Sequence, residues 1–275
     1  MDLKKLFSLL IIILCINYAS AQKYRVYYDL KYKADSTDTE LESKKMILDV
    51  KDKISRFYSY KLYRSDSTLI SDKKLGRETM TKSMDYDFSV IKNYITGDIQ
   101  KFYRIWMDAY EIKEKLPKLN WKIVEETKMI DNLKCQKATL DYKGRNWEAW
   151  FTSEIPLTEG PYIFSGLPGL VISVSDKEKN YLFNMIGLQK NFDEVYTENY
   201  NIVTIPVNQN QLKKVFIDYY HDPYREMKAG FTKMKTVDQS GKEVTVNYNE
   251  LTTQKKQQIK KYNNPIELSD IIKYP

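Results

Sequence analysis

Residues 134–152 read KCQKATLDYKGRNWEAWFT, with apolar and polar side chains alternating on both sides of Lys143-Gly144. Ala138 and Leu140 stand two apart before this pair, and the same spacing recurs after it. Successive side chains of a strand point to opposite faces, so a spacing of two indicates half-buried strands. A compact turn at Lys143-Gly144 joins them, and strands joined by a short turn run antiparallel. We therefore predict a β-hairpin here.

The same alternation recurs along most of the chain and predicts a fold that is mostly β. No Pro/Gly/Ser-rich linker and no internal repeat interrupts it. We predict one α+β domain over residues 22–275, built on a curved antiparallel sheet or half-barrel with a few packed helices. Further strands are expected over residues 24–32, 46–50, 58–62, 99–106, 170–174 and 181–188, with hairpin turns at residues 176–180 and at Ser240-Gly241.

Helices are fewer. Apolar side chains repeat at helical spacing over residues 212–219, and Asn208 or Asn210 is placed to cap the start. Residues 249–262 are rich in helix formers but offer little apolar edge, which predicts a helix on the surface. A weaker helical spacing of apolar residues predicts a third helix over residues 71–83.

The first residues have the pattern of an export signal. Two lysines precede an apolar run over residues 6–16, and Ala19-Ser20-Ala21 supplies small residues for cleavage. The run is short for a membrane anchor, and the leucine before Cys15 argues against lipid attachment. We expect residues 1–21 to be a signal peptide, with no transmembrane segment after its removal. The mature chain would reach the periplasm, the outer-membrane surface or the medium.

Net charge and cysteine content further limit the classes of protein to which this chain could belong. The formal charge is +7, but the basic residues are spread along the chain, so no segment has the pattern of a nucleic-acid-binding arm. The excess suits solubility or weak contact with anionic lipids and glycans. Once the signal leaves, Cys135 is the only cysteine, so packing must hold the fold without an internal disulfide. Cys135 has the setting of a small buried residue rather than of a nucleophile.

Catalytic, cofactor and metal motifs are missing from the sequence. The single histidine, His221, stands beside Asp222 at the end of a predicted helix, and no Gly-x-Ser-x-Gly motif accompanies it. One histidine and one cysteine do not make a zinc site, and neither a phosphate loop nor a dinucleotide fingerprint occurs. We predict no catalytic residue, no cofactor and no metal.

The quoted stretch continues into residues that resemble a known family. After the tryptophan strand come Ile155-Pro156, Gly160-Pro161 and Gly166-Leu-Pro-Gly-Leu170. In this order they resemble the GLPGLI family of exported Bacteroidetes proteins, also called the Porphyromonas gingivalis family. Val171 replaces the isoleucine of the family name, and residues 264–268 resemble the family's C-terminal ending. The resemblance implies an exported envelope protein, but the family is uncharacterised and implies no activity.

The family motif has the chemistry of a turn. Pro168 and Gly169 occupy the positions that a type II turn prefers, and Gly169 would take the positive φ. The motif then either aims strand 170–174 beneath its neighbours or forms the rim of a pocket or docking edge. The residues assigned to this structural turn are Gly160, Pro161, Gly166, Leu167, Pro168, Gly169 and Leu170.

A candidate binding face lies on the tryptophan strand, at Trp147, Glu148 and Trp150. Alternation places Glu148 and Trp150 on one face of the strand, opposite Trp147. The two tryptophan rings could stack on a sugar ring. Aromatic strand residues also pack in cores, and both interpretations stay open. With 37 acidic residues in the chain, a glycosidase-like pair of carboxylates is also compatible with the sequence.

We therefore expect an exported cell-envelope protein of the non-catalytic binding or transport-accessory kind. Its sheet would hold an apolar ligand, a peptide or a partner's strand. By analogy, the resemblance suggests a half-barrel like that of periplasmic lipoprotein carriers, and association with an outer-membrane transporter. The alternative is a secreted hydrolase working through paired carboxylates. A purely structural role is the third hypothesis.

Overall fold

The computed structural model describes residues 23–77, 85, 87–106, 108–192, 204–231, 236–237, 243–244 and 246–275. Three predicted features lie outside these ranges. They are the signal peptide over residues 1–21, the turn at Ser240-Gly241, and residues 78–83 of the helix predicted over residues 71–83. Among the described residues, no helix has the length and apolar character needed to cross a membrane.

The chain is mostly β, as predicted, and twelve strands form one open sheet. Across the sheet the order is β12-β6-β5-β4-β3-β2-β1-β11-β10-β9-β8-β7. One pair departs from the predicted antiparallel arrangement, because β12 runs parallel to β6. β6 ends at Lys115 and β12 begins at Thr204, so the chain between them is much longer than the crossover that a parallel pair needs. The strands are β1 Tyr24–Tyr32, β2 Glu42–Lys51, β3 Ile54–Ser59, β4 Val90–Asn93, β5 Asp98–Ile105, β6 Asp108–Lys115, β7 Lys122–Ile130, β8 Leu133–Tyr142, β9 Arg145–Thr152, β10 Leu170–Asp176, β11 Tyr181–Lys190 and β12 Thr204–Pro206.

Both hairpins predicted around the family motif are confirmed. β8 pairs with β9, with Ala138 opposite Ala149, and β10 pairs with β11. In the first turn Lys143 and Gly144 have positive φ angles of 49° and 87°. Two positive φ angles match the twist of a two-residue hairpin turn. The alternation and the turn residues were thus sufficient to predict these pairs.

Four α-helices are described: α1 Tyr60–Lys74, α2 Gln209–His221, α3 Arg225–Lys228 and α4 Tyr248–Lys261. A 3₁₀ turn, Leu268–Asp270, and a separate ribbon of β13 Thr236–Val237 and β14 Glu243–Val244 complete the elements. Helix α2 is confirmed, with Asn208 and Gln211 forming a reciprocal cap. Helix α4 has no buried residue, which confirms its surface position.

The strand predicted over residues 58–62 is wrong beyond Ser59. The Ser59 hydroxyl accepts a hydrogen bond from the Leu62 amide at 3.1 Å, and this cap starts α1 at Tyr60. A serine cap satisfies an amide that a helix start otherwise leaves unpaired, and here it overrides the strand preference of the tyrosines. Of the helix predicted over residues 71–83, residues 71–74 are confirmed as the end of α1, and residues 78–83 lie outside the described residues.

One face of the sheet, the core face, carries the largest apolar cluster. Val26, Tyr28 and Leu30 of β1 are fully buried there. Residues 153–169, between β9 and β10, fold against this face, and we call them the plug. Each large apolar side chain buried in this way contributes about 1.5–3 kcal/mol. Five plug side chains join the cluster: Leu157, Tyr162, Ile163, Phe164 and Leu167.

Two helices cover other parts of the sheet. On the opposite face, α1 places Leu62 against Ile47 and Tyr58. On the core face near β5 and β6, α2 places Leu212 against Ile105 and its neighbours. Both faces of the sheet are therefore covered in part: the plug and α2 pack on the core face, and α1 packs on the opposite face.

The C-terminal segment is held to the sheet by Arg145, which is 4% exposed. Its guanidinium donates to the Asp176 carboxylate at 2.9 Å and to the Asn264 side-chain oxygen at 2.6 Å. It also donates to the backbone oxygens of Ile266 and Pro265, at 3.0 and 2.8 Å. A planar guanidinium serves several acceptors in fixed directions, which an ammonium does not. We call Arg145, Asp176 and Asn264 the clamp.

Arg145→Ala should lower the free energy of unfolding by about 3–5 kcal/mol, because it leaves the buried Asp176 without its cation. Arg145→Lys should retain part of this stability but lose the bonds to residues 264–266. Chemical denaturation checks the first result, and faster amide hydrogen exchange in residues 264–272 checks the second. Lys177→Ala, at an exposed position nearby, is the control; if it destabilises as much, the clamp is not the cause.

Gly169→Ala and Gly166→Ala form a matched pair within the family motif. Both glycines have positive φ, of 148° and 90°. A Cβ on Gly169 would collide with the Thr152 carbonyl oxygen, whereas one on Gly166 would meet no atom within 4 Å. Gly166→Ala should therefore cost about 1–2 kcal/mol of backbone strain, and Gly169→Ala clearly more. Equal losses in thermal or denaturant unfolding would contradict this account of the turn.

Candidate binding cleft

A cleft of about 500 Å³ lies on the core face between β5, α2 and residues 262–274. A volume of this size suits a small ligand. Among the described residues, five aromatic side chains that retain some exposure line it: Phe88, Tyr103, Phe216, Tyr262 and Tyr274.

Two features of the chain position these walls. Helix α2 directs Leu212 into the core and leaves Phe216, one turn later, at the mouth of the cleft. The clamp fixes Asn264, so the residues that follow it run along the opposite wall. Tyr181 reinforces this by donating its hydroxyl proton to the Asn264 carbonyl oxygen at 2.5 Å.

The floor of the cleft holds a buried ion pair. Lys101 donates to one carboxylate oxygen of Glu267 at 2.7 Å and also lies 2.8 Å from Glu114. Tyr162, from the plug, donates to the same Glu267 oxygen at 2.9 Å. Burial disfavours the charge of Lys101, but Glu267 and its neighbours outweigh this and raise the pKa of Lys101 above its usual value. Lys101 and Glu267 therefore form a buried, hydrogen-bonded ion pair.

The hydroxyl of Tyr162 stays protonated at any ordinary pH. Burial, reinforced by the charge of Glu267, raises its pKa well above the usual range. Tyr162 therefore acts as a permanent hydrogen-bond donor to Glu267. Lys101, Tyr162 and Glu267 are thus joined by hydrogen bonds at the floor.

Ser89 is the unsatisfied polar group of the cleft. It lines the wall and is 4% exposed, and its hydroxyl has no hydrogen-bond partner. Buried hydroxyls are nearly always paired, so an orphan at a cavity wall is placed to meet a ligand or a water molecule. Ser89 immediately precedes β4, whose first residue, Val90, packs in the core.

Charges on the cleft walls balance. Three side chains are cationic, Lys101, Arg104 and Lys213, and three are acidic, Asp87, Glu267 and Asp270. Amides of Gln209 and Asn210 add donors and acceptors, whereas those of Asn263 and Asn264 are already bonded within the chain. The cleft thus combines aromatic surfaces with hydrogen-bonding groups and has no net charge.

The tryptophan strand lies away from this cleft. Trp147 is 3% exposed and packs on Phe164, with ring centroids 4.5 Å apart. Glu148 accepts from the Trp150 indole at 3.1 Å and pairs with Lys137 at 2.9 Å. Hydrogen bonding to Lys137 outweighs partial burial and lowers the pKa of Glu148.

Trp150 is itself covered, because the Lys128 ammonium lies 3.8 Å from its ring centre. A sugar would have to displace that lysine to stack on the ring. Binding at Trp147, Glu148 and Trp150 stays a prediction.

The residues assigned to the family turn divide by exposure. Gly160, Pro161, Leu167, Gly169 and Leu170 are buried, whereas Gly166 and Pro168 are exposed. Gly169 departs from the predicted type II geometry, because its φ is 148° and its amide donates to the Leu167 carbonyl oxygen at 2.8 Å.

Other residues singled out in the sequence are far from forming a reactive site. His221 is exposed at the end of α2, with its ring 5.8 Å from that of Tyr220. Cys135 is fully buried, and burial raises the pKa of its thiol. In the part of the chain that the structure describes, no group of three or more histidine, cysteine and acidic side chains is placed to hold a metal.

Sequence reasoning missed the cleft, because its floor joins residues 166 positions apart, Lys101 and Glu267. The only available signal was the C-terminal Asn264–Leu268 stretch, which resembles the family's ending. In the structure this stretch supplies both the clamp acceptor Asn264 and the floor residue Glu267.

Solved structures give only weak likenesses. Two structures of PNGF-II, in P21 and C2 crystals, have TM-scores of 0.49 and 0.47 at 13% and 14% identity, over 70% and 68% of this chain. This chain covers 33% and 31% of theirs, or about a third of their length. A DUF1329 family protein from Desulfovibrio piger ATCC 29098 has a TM-score of 0.23 at 8% identity, covering 72% of this chain and 95% of that one. No curated protein sequence matches.

A family model described as a protein of unknown function (Porph_ging) matches residues 141–173. The match spans the tryptophan strand, the plug and the Gly166–Leu170 motif. The predicted resemblance is thereby confirmed over residues 141–173, which match the model of a Porphyromonas gingivalis family of proteins of unknown function.

Proposed function

We propose that this chain is an exported, non-catalytic protein that binds a carbohydrate in the cleft. Export is supported by the pattern of the first 21 residues. The observation that carries the binding proposal is the cleft itself, with five partly exposed aromatic rings around a charge-balanced, hydrogen-bonding wall.

The lining favours a carbohydrate over an apolar ligand. Sugar rings present flat C–H faces beside hydroxyl groups, and aromatic side chains and amides complement both. An apolar molecule would leave the Ser89 hydroxyl without a partner, at a cost of about 1–3 kcal/mol. Much of the rest of the core face, where the sheet could otherwise hold an apolar ligand, is covered by the plug.

A binding role is favoured over hydrolysis by the state of Glu267. Glycosidases need two carboxyl groups available to the sugar, one as acid and one as base or nucleophile. Glu267 is the one buried acid of the cleft wall, and it already accepts from Lys101 and Tyr162. Association with an outer-membrane transporter stays a prediction from the family resemblance.

Tyr262→Ala should weaken oligosaccharide binding about 3–10-fold, because it removes a ring contact worth roughly 1 kcal/mol. Tyr262 is 46% exposed, so the fold should be unaffected. A glycan array selects the oligosaccharide, and titration calorimetry measures the dissociation constants. Phe231→Ala, which removes an 84% exposed ring outside the cleft, is the control.

If no glycan binds the wild-type protein, or if Phe231→Ala weakens binding as much as Tyr262→Ala, the proposal is wrong. Release of shorter products from the bound oligosaccharide, abolished by Glu267→Gln in a folded protein, would instead favour the hydrolase. Chromatography of the mixture after prolonged incubation distinguishes binding from turnover.

A further inference from the structure

The sheet is interrupted beside the cleft. β3 ends at Ser59, opposite Met46 of β2, and β4 begins at Val90, opposite Lys101 of β5. Beyond these points β2 and β5 both continue, and none of the described strands lies between them. We call this gap the notch. Part of it is occupied by Asp85 and by residues 87–89, which immediately precede β4.

A second cavity opens at the notch on the α1 side. This groove has a volume of about 1170 Å³ and is lined by the start of β2, the first turns of α1 and the end of β5. Asp87 and Arg104 line both the groove and the cleft. The two cavities therefore share a wall at the notch.

The groove is strongly cationic, unlike the cleft. Five of its lining side chains are basic and two are acidic, which leaves a surplus of three positive charges. Both acids are held by one lysine, since Lys44 lies 3.0 Å from Asp85 and 2.6 Å from Asp87. Burial disfavours the Lys44 charge, but these carboxylates outweigh it and raise its pKa. The cations other than Lys44 are Lys45, Lys61, Arg64 and Arg104.

Local contacts orient two of these four cations, Lys45 and Arg104, without pairing them with a described acid. Lys45 lies over the rings of Tyr27 and Tyr60, at 4.9 and 4.5 Å. Arg104 donates its Nε proton to the Trp106 carbonyl oxygen at 2.6 Å, so its outer nitrogens remain available. Lys61 and Arg64 form no ion pair with any residue that the structure describes.

The start of α1 adds to the same field. Its first turn contains no acidic residue, so the positive end of the helix dipole is not offset there. Lys61 and Arg64 stand three apart and both line the groove, which agrees with the spacing of neighbours on a helix surface.

We propose that the carbohydrate bound in the cleft is acidic, and that its carboxylate or sulfate groups bind in the groove to Lys61, Arg64 and Arg104. This inference rests on the proposed function, because it takes the sugar ring to occupy the cleft. Guanidinium groups match carboxylate and sulfate oxygens in paired hydrogen bonds. The shared wall at Asp87 and Arg104 lets one oligosaccharide reach both cavities.

The lining disfavours a lipid as the occupant. Apart from Tyr60 and Trp106 the groove presents hydroxyl and charged groups, among them Ser43, Ser59 and Thr68. None of its described lining residues has an aliphatic side chain that could receive an acyl chain. Hydroxyl donors beside cations suit the acid and hydroxyl groups of a sugar.

The test compares oligogalacturonate with its fully methyl-esterified form, which has the same rings but no charge. The double variant Lys61→Gln/Arg64→Gln removes two groove cations, and Lys118→Gln/Lys122→Gln removes two from exposed positions elsewhere. Calorimetric titrations at low and high salt give the dissociation constants, and circular dichroism confirms that each variant folds.

We expect the wild-type protein to bind the acidic form about tenfold or more tightly than the ester, since two charge-assisted contacts contribute at least 1.4 kcal/mol. The groove variant should lose this preference and bind the ester unchanged, while the control variant behaves as wild type. Added salt should weaken only binding of the acidic form.

Equal affinity of the wild-type protein for both forms would overturn the inference and leave the proposed function standing. Equal losses in the two double variants would do the same, because general charge would then explain the preference. Failure to bind either form also overturns it, and the glycan-array titrations with Tyr262→Ala then judge the proposed function separately. Tighter binding of phosphatidylglycerol vesicles or single-stranded DNA than of oligogalacturonate, lost in the groove variant, would assign the groove to another class of partner.

Discussion

The Arg145 guanidinium is the constraint on which the candidate site depends. It lies at the start of β9, yet its acceptors Asn264, Pro265 and Ile266 are about 120 residues away in the chain. A charge buried this deeply is tolerated only when it is paired and its hydrogen bonds are made. Asp176 supplies the charge and the C-terminal segment supplies the remaining acceptors, so folding of the central hairpins requires this segment to dock.

Docking of that segment creates the cleft. Asn264 is fixed by the clamp, and three residues later Glu267 reaches Lys101 on β5. The plug contributes at the same place through Tyr162. Three parts of the chain that are distant in sequence thus meet around one carboxylate. The family motif shapes the site indirectly, by turning the plug across the core face so that Tyr162 faces Glu267.

Local patterns predicted the fold far better than the site. Alternation and turn chemistry were enough for the hairpins, because each strand and its neighbour lie within about ten residues of the turn. The parallel β12–β6 pair and the Lys101–Glu267 pair join distant residues, and no local period marks such contacts. The error at residues 60–62 has a different cause. Tyr60 and Leu62 alternate as in a strand, but the hydrogen bond from Leu62 to Ser59 decides the conformation.

That same cap links the fold to the recognition surface. β3 ends at Ser59, so no described strand pairs with the first residues of β2 on that side, and α1 starts there. An uninterrupted sheet would separate the core face from the α1 face with a layer of backbone hydrogen bonds. At the notch no described strand completes this layer, and Asp87 and Arg104 line both the neutral cleft and the cationic groove, so the two cavities adjoin there. A short departure from strand structure therefore determines where both cavities form and why they adjoin.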